Sequence, residues 1–589
     1  MAVYPTLIVH NAKIHTGVEK RPEVQALAVN GRRIAAVGTN GQIRSLAGPA
    51  TIVIDAGKRR IIPGLIDAHQ HLLATGLDYN QQLRWDAVPT LHEALNMLAE
   101  QVKRTPLTQW VRVVGGFCEH QFAEQRLPTF DELNQIAPDT PVYIQHMQDR
   151  ALLNAAAIAA CGYDGQTPDP TGGHIEWDGA GMPTGLLIAT PSTDVFRQAL
   201  SHAPVLPHEY QINSLRQYLR ELNRLGITSV IDAGAAHLHY PDDYRALEEL
   251  AQHHLLTVRV AYHLSAQTPG DETGDFLHWC TINHYGDGDE ILRFNGAGDV
   301  LVQAAMDHDN FRQSSPDIPA HVAVELEDVV RRLVARGWPW RMHAVHDETI
   351  AMALDVFERI GSDMTLRALP WFFDGAETIS QRNIERVAQL GGGINLQPRM
   401  AYQGEYFLER HGAEISSRTP PIRHLLDAGL RVGLGSAGAT LQSMDPWATL
   451  YWLTTGRTLG GTAIYPPEHR LDRAQALALH THGNTWFSGE EGSKGKLDIG
   501  QLADFAVLSQ DYFSIADEEI RQTEAELTVM DGRIVYAQGA FRAFDLTPPM
   551  PLPEWSPANH DGGSWRTRHR TKEADVMSSN THNSSRASG

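Results

Sequence analysis

The chain has 589 residues, 42% of them hydrophobic, and its 49 Lys and Arg against 70 Asp and Glu give a net charge of −21. Such an acidic chain repels phosphate backbones and anionic lipid surfaces, so we expect neither a nucleic-acid binder nor a membrane-surface protein. No run of about 18 apolar residues is present, and the first residues lack the pattern of a secretory signal. With only three widely separated cysteines, the chain is predicted to be a soluble cytoplasmic protein.

Lysine is rare, and its distribution excludes several kinds of chemistry. The lysines stand at positions 13, 20, 58, 103, 494, 496 and 572, so none lies between Lys103 and Lys494. That central stretch therefore cannot supply a Schiff-base lysine, a pyridoxal phosphate anchor, a P-loop lysine or a carboxylated lysine bridging two metals.

The two β-rich ends of the chain, residues 1–62 and 484–545, are predicted to assemble into one sheet domain. Short apolar runs alternate with Asn-Gly and Ala-Gly turns in the first segment, and the same pattern returns in the second. Residues 546–589 are rich in Ser, Asn, His and Arg and poor in apolar side chains, which predicts a disordered tail.

Residues 63–483 are predicted to form a (β/α)8 TIM barrel of the α/β class. Eight short apolar strands, most of them followed by a helical pattern, favour a closed parallel barrel. The first strand lies in RRIIPGLIDAHQH, and the others are expected at 227–234, 256–266, 290–302, 339–345, 365–373, 392–398 and 430–436. A stretch rich in Pro, Asp and Gly at about 105–205 interrupts this alternation of strands and helices, and we interpret it as an insertion after the first strand.

The strongest chemical signal is the sequence GLIDAHQH, which contains His69 and His71. Side chains at i and i+2 of a strand point the same way, so both imidazoles face one side. If the strand belongs to the barrel, that side is the interior at the carboxyl-terminal mouth, where barrel enzymes carry their active sites. Other H-x-H patterns occur in helical or loop contexts and are less suited to a metal.

A third histidine, His343, ends the predicted fifth strand and is followed directly by a helix start. Three neutral imidazoles with one open position form a recognised coordination set for Zn²⁺. We therefore predict a metal site made of His69, His71 and His343, with His346 as the alternative to His343. Most of the clustered aromatic residues are predicted to lie in the core, and those on the loops after strands seven and eight are the alternative candidates for lining an apolar substrate pocket. The clusters are Trp371, Phe372, Phe373, Tyr402, Tyr406, Phe407, Trp447, Tyr451 and Trp452.

Together these motifs resemble the amidohydrolase superfamily. The β-rich ends, the sequence PGLIDAHQHL, the strand-five His343 and the closing KGKLDIGQLADFAVLS carry the resemblance, which covers about residues 5–540. Within the superfamily the chain is most similar to amidohydrolase family 3, the branch that contains N-substituted formamide deformylase. The resemblance implies a (β/α)8 barrel with a β-sandwich and a divalent metal, usually zinc, that activates water to cleave an amide or related C–N bond. It places His69, His71 and His343 at the family's ligand positions.

The chain departs from the family pattern at three strands. At strand six the family has an acid followed by histidine, and here Asp374 is followed by Gly375. At strand eight the family's Ser/Thr-Asp pair is replaced by Ser436 and Ala437, and strand four has Arg293 and Asn295 where the family's bridging lysine, glutamate or cysteine would stand. A binuclear centre of the family's usual kind is therefore not expected, whereas one Zn²⁺ is.

The leaving amine still needs a proton. Asp374 and Glu377 flank the vacant strand-six position and are named first as catalytic residues; the further candidates are His346, Asp347, Glu119 and Asp149. The alternative interpretation, that Asp374 and Glu377 are an ordinary loop residue and a helix cap, stays open.

Three functions compete at this point. The first is a metal-dependent hydrolase that cleaves an amide or N-substituted formamide-like bond of a small aromatic or apolar molecule by metal-activated water. The second is a catalytically impaired homologue that binds a small ligand, and the third is a non-hydrolytic lyase or isomerase in which the metal polarises a carbonyl. A small-molecule substrate is the expected partner in each, and association into a homo-oligomer is left open.

Overall fold

Both ends of the chain contribute strands to one sheet in this computed structural model, which describes residues 4–170, 172–190, 193–307, 311–312, 318–362, 364–438, 442–546 and 548–561. The amino-terminal elements are β1 (Leu7–His10), β2 (Lys13–His15), β3 (Glu23–Val24), β4 (Ala26–Asn30), β5 (Arg33–Gly38), α1 (Asn40–Arg44), β6 (Ile52–Asp55) and β7 (Arg60–Pro63). Four of these strands form a sheet with the order β5-β4-β1-β6.

The barrel begins immediately afterwards and is then interrupted. Its first strand is β8 (Leu65–Gln70), followed by α2 (Leu72–Asp78). The interrupting elements are β9 (Gln82–Leu83), α3 (Leu91–Arg104), β10 (Val111–Val114), α4 (Phe130–Ile136), β11 (Val142–His146), β12 (Arg150–Leu153), α5 (Ala155–Cys161), β13 (Gly173–Trp177), β14 (Pro183–Ala189), α6 (Asp194–Leu200) and α7 (His208–Arg224). Their strands form a separate six-stranded sheet with the order β13-β14-β12-β11-β10-β9.

Strands and helices then alternate through the rest of the barrel. The elements are β15 (Ile227–Asp232), α8 (Arg245–Gln252), β16 (Arg259–Leu264), α9 (Glu272–Ile282), β17 (Leu292–Ala297), α10 (Ala320–Arg336), β18 (Trp340–Ala344), α11 (Asp347–Gly361), β19 (Trp371–Gly375), α12 (Gln381–Leu390), β20 (Gly393–Leu396), α13 (Arg399–Ser416), α14 (Ile422–Asp427), β21 (Arg431–Leu434), α15 (Pro446–Thr455) and α16 (Arg473–Leu479). The last elements are β22 (Phe505–Leu508), β23 (Ala525–Met530), β24 (Arg533–Ala537) and α17 (Ala558–Asp561).

The predicted barrel is confirmed. Eight parallel strands follow the order β21-β20-β19-β18-β17-β16-β15-β8, and a parallel bridge between Gln70 and Gly438 brings the first and last strands together. Every residue of β8, β15, β18, β19 and β20 is buried, as expected for parallel strands covered by helices on one face and by the barrel interior on the other. The buried residues of α10 lie at helical spacing and form one apolar stripe: Val322, Leu326, Val329, Val330 and Leu333.

The strands of the two chain ends meet in a mixed six-stranded sheet. Its order is β24-β23-β22-β7-β2-β3, so β7 from the amino-terminal segment lies beside β22 from the carboxyl-terminal segment. These two strands pair antiparallel, with Ala506 opposite Ile62. Apolar side chains from both ends share one buried cluster, which includes Val9, Leu27, Ile61, Phe505 and Leu527.

The described residues fall into two compact units. The larger takes its residues from 1–76, 218–438 and 444–548, and the smaller from 77–217, 439–443 and 549–561. Within the smaller unit, Asn213 Nδ2 donates to the Met550 carbonyl and Gln101 Nε2 donates to the Trp555 carbonyl. Contacts therefore continue past residue 546, where the tail was predicted to start. Residues 562–589 of that predicted tail lie outside the described residues.

No helix in the described ranges combines the length and the apolar composition that a membrane crossing requires.

The smaller unit contains a buried ionic cluster around His146. Its Nε2 lies 2.7 Å from Glu119 Oε2, and its Nδ1 lies 2.8 Å from Asp149 Oδ1. Arg150 contacts both carboxylates, at 3.2 and 3.1 Å. Although burial alone would lower it, the charges of Asp149 and Glu119 raise the pKa of His146 to about 9. The imidazole is therefore a cation in the folded protein at neutral pH.

We expect the stability contribution of His146 to decline between pH 6.5 and pH 9. Because the folded pKa lies above the unfolded value, the contribution is complete below pH 6.5 and is lost as the pH rises through about 9, by up to about 3 kcal/mol. Urea unfolding of the wild-type protein and of a His146→Gln variant at several pH values measures this. The wild type should be the more stable at pH 6, and a gap that stays constant up to pH 9.5 would contradict the expectation.

Candidate metal centre and active site

The two histidines of the H-x-H motif stand at the carboxyl end of β8. Their ring centroids are 5.2 Å apart, and the rings are nearly perpendicular. Strand β8 lies close to the segment after β21, because Gly435 has no side chain: a Cβ there would be 2.3 Å from the Cβ of His69. The Ala437 N–H also donates to the His69 carbonyl at 2.9 Å. The backbone of His69 is thus fixed from the last barrel strand.

Each histidine has one ring nitrogen engaged with the protein. Nδ1 of His71 lies 2.6 Å from the Gly234 carbonyl oxygen, which fixes a proton on Nδ1 and leaves Nε2 as the nitrogen with a lone pair. Nδ1 of His69 lies among Arg341 Nη2 at 2.7 Å, Asp374 Oδ1 at 3.0 Å and Gln397 Nε2 at 3.2 Å, and its Nε2 lies on the side of Asp299. Burial lowers the pKa of His69 to about 4, so this ring is neutral near pH 7. Such outer contacts are typical of metal-binding histidines.

A carboxylate completes the group of possible ligands. Asp299 follows β17, and its Oδ2 lies 3.6 Å from Nε2 of His69. One ligand atom each from His69, His71 and Asp299 lies within 4.8 Å of the other two. Two imidazole nitrogens and one carboxylate oxygen are a known donor set for catalytic zinc. These side chains therefore fit one divalent ion.

His343 lies near the same end of the barrel on β18. The strand is buried throughout, and the His343 N–H donates to the Asp299 carbonyl at 2.9 Å. His343 stands two residues beyond Arg341, whose guanidinium reaches into the barrel interior, so strand alternation directs both side chains to that interior. Among the described residues, the closely spaced group contains Asp299 as its third member and does not include His343.

Asp374, one of the two predicted catalytic acids, is part of a buried ion pair. Arg341 donates to both of its carboxylate oxygens, each at 2.6 Å, and Asn395 Nδ2 donates to Oδ1 at 2.7 Å. Neither Arg341 nor Asp374 has any exposed side-chain surface. Although burial alone would raise it, the charge of Arg341 holds the pKa of Asp374 far below its usual range. The carboxylate therefore keeps its negative charge.

Replacing Asp374 with asparagine should destabilise the protein strongly, because Arg341 would remain buried without a counter-charge. Breaking a buried pair in this way typically costs about 3–5 kcal/mol. Urea unfolding measures the change. In the matched control, Arg341→Met combined with Asp374→Leu removes both charges and should recover much of the loss. A single Asp374→Asn variant as stable as the wild type would show that the pair contributes nothing.

Glu377, the other predicted catalytic acid, is in a different electrostatic environment. It is fully buried, Arg399 Nε donates to its Oε1 at 2.8 Å, and its Oε2 has no hydrogen-bond partner among the described residues. Burial raises the pKa of Glu377 to about 8. The backbone of Gly375 has a φ of +99°, and a Cβ built there would lie 2.9 Å from Glu377 Oε2. The Glu377 carboxyl thus lies beside the position that a strand-six side chain would occupy.

Glu377 also lines a cavity of about 890 Å³. The lining residues follow β18, β19 and β20, and they include His346, Met352, Ile379 and Phe407. Phe407 packs between Phe311 and His411, with ring centroid distances of 4.7 and 4.3 Å. Of the clustered aromatic residues, Phe407 lines this cavity, Tyr406 is partly exposed, and the rest are buried in the core. The buried ones are Trp371, Phe372, Phe373, Tyr402, Trp447, Tyr451 and Trp452.

The remaining candidate acids and bases separate into two groups. His346 and Asp347 line the cavity, but both Ser380 N–H and Asn383 Nδ2 donate to the Asp347 carboxylate at 2.7 Å, so it serves as a cap. Glu119 and Asp149 belong to the smaller unit, where they surround His146.

Sequence reasoning missed four polar residues that contact His69 or Glu377 directly. They are Asp299, Arg341, Gln397 and Arg399. Asp299 was detectable, because an acid directly after a barrel strand stands at the mouth of the barrel. The other three were not, since a buried arginine or glutamine has no distinctive local pattern and its partners are far away in the sequence.

Comparisons with known proteins agree with this arrangement. Residues 52–536 match the amidohydrolase family. The chain belongs to the amidohydrolase family. It is accordingly a metal-dependent hydrolase that acts on carbon–nitrogen bonds other than peptide bonds, and its substrates are small molecules.

Individual relatives span nearly the whole enzyme. N-substituted formamide deformylase of Arthrobacter pascens is 27% identical, over 90% of this chain and 98% of the relative. The putative amidohydrolase YtcJ of Bacillus subtilis is 25% identical over the same shares. An uncharacterized metal-dependent hydrolase from Pyrococcus horikoshii has a TM-score of 0.62 at 20% identity, covering 87% of this chain and 99% of its own, which shows a shared fold.

Proposed function

We propose that this amidohydrolase holds one divalent ion, Zn²⁺ by the chemistry of the donors, and hydrolyses an N-substituted formamide or related amide of a small aromatic or apolar molecule. The observation that carries the proposal is the convergence of His69, His71 and Asp299 at the mouth of the barrel. The similarity to N-substituted formamide deformylase supports the substrate class.

His69, His71 and Asp299 are the proposed ligands, with His343 as a further donor beside them. Two imidazoles and a carboxylate suit Zn²⁺, whose presence would lower the pKa of water to about 7 and so supply a nucleophile at neutral pH. The Gly234 carbonyl orients His71 through Nδ1. The side chains around Nδ1 of His69, Asp374 among them, hold that side of the ring and leave its Nε2 for the ion.

Glu377 is the proposed proton donor to the leaving amine. Burial raises its pKa to about 8 and so favours the protonated carboxyl near neutral pH, against the opposing charge of Arg399, whose Nε lies 2.8 Å from Oε1. Its Oε2, which has no hydrogen-bond partner among the described residues, lies in the wall of the cavity. Asp374 is unsuited to that step, because Arg341 keeps it ionised, and we assign it to orienting His69. The Glu377 carboxylate that remains after proton transfer accepts a hydrogen bond from Arg399.

The cavity is proposed to receive the amine part of the substrate. Phe311 and Phe407 offer aromatic faces, and Met352 and Ile379 offer aliphatic contacts, so a flat apolar group gains contact there. Because the formyl group contains a single carbon, the ring of the substrate would belong to the amine part. The ring would therefore lie in the cavity when the C–N bond is cleaved.

The test is hydrolysis of a panel of N-benzyl- and N-arylformamides by protein loaded with Zn²⁺, with formate and amine measured as separate products. We expect formate and amine in equal amounts, with formamides of apolar amines preferred over formamide itself. Tight binding without either product would favour the impaired homologue, and a rearranged product without formate would favour a lyase or isomerase. Either of these outcomes would falsify the proposed hydrolysis.

A further inference from the structure

A continuous line of buried polar side chains joins the cavity to the proposed metal centre. Arg399 Nε donates to Glu377 Oε1 at 2.8 Å, and Arg399 Nη2 donates to Gln397 Oε1 at 2.5 Å. Gln397 Nε2 then lies 3.2 Å from Nδ1 of His69. The exposed fractions of Glu377, Arg399, Gln397 and His69 are all 1% or less. Water therefore has little access to any member of the line.

The order of donors and acceptors fixes how each group is turned. A guanidinium has donors only, so Arg399 forces Gln397 to present its carbonyl oxygen on that side. The amide nitrogen of Gln397 then faces Nδ1 of His69, and this last step is a packing contact, not a hydrogen bond, when Nδ1 carries the proton and Nε2 is the metal-binding nitrogen. Arg399 in turn engages one oxygen of Glu377 and leaves the other, Oε2, without a partner in the cavity wall. A disordered amide or a rotated carboxyl would break this sequence of contacts.

The backbone positions of Gln397 and Arg399 are fixed by the secondary-structure elements that they adjoin. Gln397 directly follows β20, and Arg399 is the first residue of α13. On the other side, the missing side chain of Gly375 leaves room for Glu377 Oε2, which lies 2.9 Å from the position of an ideal Cβ. The loops after β19 and β20 thus meet through one carboxyl–guanidinium contact.

We propose that Arg399 and Gln397 are positioning residues, which hold the Glu377 carboxyl toward the cavity and couple its placement to the orientation of the His69 ring. This inference rests on the proposed hydrolytic function, in which Glu377 gives the proton and His69 holds the metal. Neither Arg399 nor Gln397 touches the reacting atoms in this account. Their effect is transmitted through Glu377 and His69.

The test uses Gln397→Met, Arg399→Met and Arg399→Lys, with Arg386→Met as the matched control. Arg386 is a partly buried arginine on α12 that pairs with Asp355 and Glu358 instead. Each purified protein is loaded with Co²⁺ alone, and its visible absorption spectrum is recorded, since the bands depend on ligand geometry. Hydrolysis of an N-benzylformamide by the Zn²⁺-loaded proteins then gives kcat and KM separately.

We expect Gln397→Met and Arg399→Met to shift the Co²⁺ bands and to lower kcat by about 10–100-fold, the effect of misplacing a catalytic group by about 1 Å, with KM nearly unchanged. Arg399→Lys, which keeps one donor and the charge, should recover part of kcat. Arg386→Met should leave the spectrum and kcat as in the wild type.

Failures of the two proposals can be told apart. A wild-type protein that binds no Co²⁺ or releases no formate overturns the proposed function itself. A wild type that does both, with Gln397→Met unchanged in spectrum and in kcat, overturns the positioning role. Because methionine nearly matches glutamine in size, Gln397→Met decides the question even if Arg399→Met does not fold.

Discussion

Replacing Asp299 with alanine should remove the metal from the purified enzyme. We expect the content to fall from about one ion per chain to nearly none, as in His69→Ala and His71→Ala, because each variant removes one of the three donors that form the closely spaced group among the described residues. Hydrolysis should fall with the metal. Elemental analysis after expression in zinc-supplemented medium and gel filtration measures the content directly.

His343→Ala decides between two ligand sets. If His343 is only a further donor, this variant keeps most of its metal while Asp299→Ala loses it. If the three histidines are the ligands, as the sequence pattern predicts, the results are reversed. His253→Ala, which removes an exposed histidine at the end of α8, is the control and should retain a full complement. Two ions per wild-type chain would contradict both sets.

Glu377→Gln should lower kcat by about 10²–10⁴-fold, the usual contribution of a general acid. The glutamine amide matches the carboxyl in size and can accept the bond from Arg399 Nε, but it has no acidic proton to give. In the wild type, kcat should fall as the pH rises through about 8, because the carboxyl then loses the proton that the leaving amine needs. The variant should lack this alkaline decline.

The metal content of the Glu377→Gln variant serves as its control measurement. Glu377 does not belong to the closely spaced ligand group, so Glu377→Gln should bind as much metal as the wild type. A kcat unchanged in Glu377→Gln would show that the proton comes from elsewhere, and His346, the other cavity-lining candidate, would be the next residue to replace. An alkaline decline that persists in the variant would lead to the same conclusion.

The sequence predicts the barrel well because its signals are local. Each of the eight strands is a short apolar run beside a turn, and all eight occur where the runs predict them. The H-x-H motif is equally local, since strand alternation alone places His69 and His71 at one end of β8. The predicted residues Glu377 and His346 both line the cavity, which follows from their places at strand ends.

The interior of the barrel is less predictable, because its contacts join distant strands. Arg341 and His69 are separated by 272 positions, and Gln397 and His69 by 328. From the sequence alone, an isolated arginine on a strand would be predicted to lie at the surface. The burial of Arg341 is explained by its partner Asp374. The conformation of Gly375 is likewise invisible until its φ of +99° is known. That φ strains any side chain, so Gly375→His would not simply restore a ligand.

The pairing of β7 with β22 constrains the order in which the protein is made and folded. Strand β7 (Arg60–Pro63) leaves the ribosome early, whereas its neighbour β22 (Phe505–Leu508) is synthesised near the end of the chain. At about 5–20 residues per second, β7 waits on the order of half a minute or longer with one edge uncovered. Unpaired strand edges invite association with other chains. Slow translation should therefore lower the yield of folded protein, and nascent chains that stop before β22 should be prone to aggregate.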